Sequence, residues 1–157
     1  MVMCNTSPLN YLVQIGATDL LPRVHGEIHI PELVVTELCD TAAPALVRKW
    51  MMSPPDWLKI HPNPIVIPKT LNHLHAGEAA AITLGLEKGA ELLLIDDLDG
   101  RIAARDAGLQ VMGTLGFLDA AATRGLGTFD ALLDDLMRTN FRAPRDLVEA
   151  LRARHRR

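Results

Sequence analysis

Residues 92–95, Leu-Leu-Leu-Ile, make an unbroken apolar run entered after Gly89 and left through Asp96 and Asp97. A run without polar alternation reads as a strand buried on both faces of a parallel sheet. Beyond the acids, Leu98, Ile102, Ala103 and Ala107 recur at helical spacing, so a helix begins where the strand stops. This unit puts Asp96 and Asp97 at the carboxyl end of a strand, where open α/β sheets bind their ligands. Two adjacent carboxylates repel each other there unless a proton or a cation lies between them. The pair is one corner of a candidate metal site, and the other corners must come from distant segments.

The rest of the chain repeats the pattern. Short strands are expected at residues 2–4, 27–30, 57–61 and 109–112. Pro8 suits the first turn of a helix entered through Asn5, Thr6 and Ser7 and ended by Gly16. Further helices are expected at 19–25, 31–38, 44–52, 113–124, 128–138 and 144–155, and the Ala-rich residues 76–88 stop at Gly89. Three prolines make residues 62–70 a loop. The 157 residues are 48% hydrophobic but only 4% aromatic, which suits one aliphatic core. The expectation is a single α/β domain over 1–157, its parallel sheet covered on both faces, ending in an arginine-rich helix from residue 144.

In that topology four places bring an oxygen to one sheet edge. They are Asn5 after the first strand, Glu37 on the helix after the second, Glu78 in the first turn of the Ala-rich helix, and Asp96 with Asp97. Magnesium and manganese want hard oxygen ligands and keep several waters. Such a cluster suits phosphoryl chemistry, in which metals activate water and stabilise a leaving oxygen. Each member also has a plainer use: Glu78 in favour with the helix dipole, Glu37 as a solvated acid, Asp96 and Asp97 as caps.

The motifs resemble the PIN domain. They are Asn-Thr-Ser-Pro-Leu at 5–9, Ile-Pro-Glu-Leu-Val-Val-Thr-Glu-Leu at 30–38, Gly-Glu-Ala-Ala-Ala-Ile at 77–82, Leu-Leu-Ile-Asp-Asp at 93–97 and Gly-Thr-Leu-Gly at 113–116. The likeness is to an uncharacterised PIN-like branch related to the VapC-type toxins of toxin–antitoxin pairs. It implies a Rossmann-like α/β/α sandwich and a magnesium- or manganese-dependent ribonuclease, often a homodimer, with an antitoxin protein as a further partner. By position, Glu37, Glu78 and Asp97 are then the metal-binding acids, with Asp96 beside them, and Ser7 orients the first-strand residue or a metal-bound water. Cleavage by metal-activated water leaves a 3′ hydroxyl and a 5′ phosphate. Asn5 stands where nuclease members usually carry aspartate; its amide offers a carbonyl oxygen but no charge. A PIN-like RNA- or protein-binding module with weakened catalysis is therefore the alternative reading.

A remoter alternative is Asp97-Leu98-Asp99-Gly100 as the nucleophile motif of a haloacid-dehalogenase-type phosphatase, although Arg101 stands where that family has a small hydroxyl residue. The net charge, 16 basic groups against 19 acidic ones, gives no global pull toward nucleic acid. Six arginines nevertheless fall within residues 142–157. Arg101, Arg152 and Arg154 are candidates for contact with single-stranded or structured RNA, a solvated helix end being the other reading. Cys4 and Cys39 read as buried thiols, and the six histidines form no ligand set. Trp50 and Trp57 read as core. No secretory leader or membrane span is expected, which points to the cytoplasm.

Overall fold

The computed structural model describes residues 1–156. Five parallel strands, β1 (Val2–Cys4), β2 (Ile28–Pro31), β3 (Leu58–His61), β4 (Leu92–Leu94) and β5 (Val111–Met112), form one sheet in the order β3-β2-β1-β4-β5. Helices α1 (Thr6–Gln14), α2 (Leu20–His25), α3 (Glu32–Leu38), α4 (Ala45–Met51), α5 (Ala76–Lys88), α6 (Leu98–Asp106), α7 (Thr114–Thr123), α8 (Phe129–Met137) and α9 (Arg145–His155) complete the chain. A short 3-10 turn at Lys69–Leu71 interrupts the proline-rich loop, where buried Leu71 pins it to the body. The Rossmann-like α/β expectation holds.

Strand alternation divides the core. Met3, Leu93 and Ile95 join Ala79, Ile82 and Ala104 on one face of the sheet. Cys4 and Leu94 join Leu9, Leu21, Val34, Phe117 and Phe129 on the other. Residues 77–85 of α5 are buried throughout, because alanines and glycines let the sheet and neighbouring helices close around it. Gly89 then ends the helix at φ 67°, a left-handed conformation that favours glycine. The strand order reverses between β1 and β4, so the crevice at their carboxyl ends is the topological switch point. There Cys4 pairs with Leu94, and the Asn5 amide donates to the Leu94 carbonyl at 2.9 Å.

One local expectation differs from the structure, and the core packing of the tryptophans holds. Cys39 is exposed, because it closes α3 where the chain turns outward; only Cys4 is buried. Trp50 and Trp57 are half-buried, packed on the edge of the core with their rings 6.1 Å apart. Among the described residues, no helix is long and apolar enough to cross a membrane.

Adjacent strands also bring His29 Nδ1 within 2.7 Å of His61 Nε2. Burial and the charge of its partner lower the pKa of His29, while burial and Lys88 lower that of His61. Folded, these rings resist protonation; unfolded, they take up protons near the ordinary 6.5. The unfolded state therefore binds more protons below that pH, and this contribution to stability is lost as pH falls through it. In urea melts at neutral and mildly acid pH, a His29→Gln/His61→Gln variant should lose less stability on acidification than the parent. Equal losses would contradict this assignment.

Candidate acidic site at the switch point

Alternation sets the directions of the acids. Asp97 continues the parity of Leu93 and Ile95, toward α5; Asp96 continues that of Leu94, toward α7. Asn5, extended at φ −89° and ψ 176°, continues the parity of Met3 and lies on the α5 side.

Asn5 is 4% exposed, and its side-chain oxygen is buried without a hydrogen-bond partner. Leaving such an oxygen unpaired costs about 1–3 kcal/mol, so it is a natural place for a water or a cation to bind. Glu78, in the first turn of α5, is also 4% exposed and accepts from the His75 backbone amide at 3.2 Å. Its pKa is pushed up to about 7, first by burial and then by the charge of Asp97; the His75 bond pulls the other way. Asp97 caps α6 by accepting from the Gly100 amide at 3.3 Å.

Glycines make these approaches possible. A Cβ at Gly100 would lie 2.9 Å from Glu78 Oε2, and one at Gly77 would lie 1.9 Å from Glu37 Oε1. Glu37 is half-buried on α3 and accepts from the Thr6 hydroxyl at 2.5 Å. Glu37, Glu78 and Asp97 thus follow one another along the rim, linked through Gly77 and Gly100.

Asp96 stands apart from them. Its oxygens accept from the Thr114 amide and hydroxyl, each at 2.7 Å. Burial raises its pKa, against the Thr114 bonds and the Arg101 charge. The Asp97-Leu98-Asp99-Gly100 run is a helix start whose Gly100 packs against Glu78, while Asp99 lies exposed.

Among the described residues, no three His, Cys, Asp or Glu side chains are gathered as a ready metal cage. The available donors are all oxygens: two closely coupled carboxylates, a third beyond Gly77, and the orphaned amide oxygen of Asn5. That set fits a hard cation retaining several waters better than a sulfur- or imidazole-seeking one.

Thr6 and Thr114 were not among the candidates read from sequence. In α1 the hydroxyl bonded to a site acid is that of Thr6, whereas Ser7 is its half-buried neighbour. Arg101 is half-buried beside Asp96, with its Nε unpaired. Arg152 lies 3.6 Å from Asp130 and 3.4 Å from Asp134, and Arg154 lies 3.2 Å from Asp119. His155 also meets Asp119, at 2.6 Å, and stacks on Phe129. These groups clasp α9 to α7 and α8, a use that the composition of the tail did not reveal. Arg157 lies outside the described residues.

A five-stranded parallel sheet whose order reverses between β1 and β4, with Asn5 and Asp97 following those strands, defines a Rossmann-like α/β domain. The family model of the PIN domain matches residues 1–157, and the chain belongs to that family. The family has a nuclease-like fold; its members are generally hydrolases and usually use divalent metals. No curated protein matches the chain.

Proposed function

We propose that the protein is a magnesium- or manganese-dependent endoribonuclease of PIN type. The observation that carries this reading is the neighbouring carboxylates of Glu78 and Asp97 on the same side of the switch point as the unpaired oxygen of Asn5. Those three, with Glu37 directly or through water, would hold the cation. When bound, the cation supplies water activation and charge neutralisation at a phosphodiester. Thr6 keeps the Glu37 carboxylate oriented toward α5. Asp96, held by Thr114 on the α7 side, would bear on this cation only through water. Hydrolysis leaves a 3′ hydroxyl and a 5′ phosphate. The likeness of its motifs to VapC-type proteins extends the proposal to a cytoplasmic toxin, homodimeric and restrained by an antitoxin protein.

A second reading also has an observation behind it. The amide at Asn5 takes one negative charge from the rim, which favours a PIN-like module that holds RNA or a protein without cutting. Cleavage of single-stranded RNA in manganese separates the two. Under the nuclease reading, cleavage rises with pH toward about 7, because Glu78 must lose its proton to bind a cation. Gly77→Ala drives the flexible Glu37 carboxylate out of place and should cut the rate by about 10–100-fold with little change in melting temperature. A purified protein that binds RNA in manganese and leaves it intact would favour the second reading.

A further inference from the structure

The geometry points to a nucleotide subsite beside the acidic rim, in the cavity between α6, β5 and the start of α9. This inference rests on the nuclease reading, since it names where part of the RNA would lie. The cavity encloses about 510 Å³, within the range of small-molecule sites. Leu98, Met112, Phe141 and Leu147 give it an apolar wall, and Leu98 and Leu147 are 66% and 46% exposed. Arg101, Arg142 and Asp96 supply its charges.

The two arginines differ, since Arg101 already faces Asp96 and its charge favours that carboxylate. Arg145, Arg152, Arg154 and Arg156 each face a carboxylate, whereas Arg142 is in no ion pair among the described residues. Arg101 keeps its Nε buried and unpaired. A Cβ at Gly113 would stand 3.0 Å from Asp96 Oδ1 and 3.6 Å from Arg101 Nη1, so glycine lets both side chains pack against the backbone at the cavity wall. Two cations beside an apolar wall complement a ligand that is anionic at one end and flat and apolar at the other. A nucleoside phosphate has that form, with its base against the leucines and its phosphate on the guanidiniums. Asp96 lines the cavity from the α7 side of the rim, so a nucleotide seated here lies next to the Glu78 and Asp97 carboxylates and not on them.

The test uses the intact protein in metal-free buffer, so that binding is read without cleavage. Uridine and adenosine monophosphates, the free nucleosides and inorganic phosphate are titrated separately by NMR. The monophosphates should bind with shifts centred on Gly113, Leu147 and Arg142, and either half alone should bind about tenfold more weakly. Arg142→Ala and Leu147→Glu, both surface changes, should each weaken the monophosphate about five- to tenfold. Arg138→Ala, at the exposed arginine closing α8 and outside the cavity, should leave its affinity unchanged. Phosphate binding as tightly as nucleotide, or indifference to both cavity variants, would overturn the subsite. A protein that cuts RNA but binds no monophosphate refutes the subsite alone; one that binds it but cuts no RNA upholds the subsite and refutes the nuclease reading.

Discussion

Asn5→Asp should tighten manganese binding and speed RNA cleavage, each by about 10–100-fold, because carboxylate charge count sets affinity at hard-cation sites. The same substitution should weaken the metal-free fold by about 1–3 kcal/mol, since a carboxylate that is 4% exposed gains no partner from the surrounding protein. Manganese should then recover that loss, by preferential binding to the folded state. Opposite movements of the two stabilities, read by thermal melts with and without metal, identify position 5 as part of the cation site. A variant destabilised equally in both buffers would place Asn5 outside it.

Glu78→Gln should stabilise the fold while abolishing its use of metal. Folded Glu78 has its pKa raised from 4.5 to about 7, so its ionisation disfavours the native state as pH rises between those values and is a full penalty above them. Glutamine keeps the shape, accepts from the His75 amide and donates toward Asp97. At pH about 8 the gain should be about 1–3 kcal/mol, or about 2–4 °C of melting temperature per kcal/mol. At pH about 4 the gain should vanish, because the parent Glu78 is then protonated too. A gain independent of pH would mean that the native state carries no penalty for the charge. Stability gained where function is lost is the usual mark of residues kept for chemistry.

Much of this arrangement is legible in the chain. The apolar run before Asp96, the Ala-rich helix and the placement of Asn5, Glu37, Glu78 and Asp97 at one sheet edge follow from period and punctuation. Adjacent in sequence, Asp96 and Asp97 read as one corner, but neighbouring residues leave a strand on opposite faces and Asp96 turns to Thr114. Thr6 and Thr114 were not legible, because their partners lie 31 and 18 residues away and depend on how helices dock. Gly77 and Gly100 read locally as helix starts, and only tertiary packing shows that each makes room for a carboxylate. The ion pairs of the α9 arginines were not legible, because composition records charge but not the acids on α7 and α8 that face it.

The proposed nuclease requires Glu78 and Asp97 to share one divalent ion near Asn5. Calorimetric titration of manganese into the intact protein at pH about 6.5 tests that most directly, because binding must displace the proton that Glu78 still partly carries there. The expected result is one saturable site per chain, with proton release into the buffer, lost in both Glu78→Gln and Asp97→Asn. No binding at millimolar manganese, or binding that both variants retain, would contradict it.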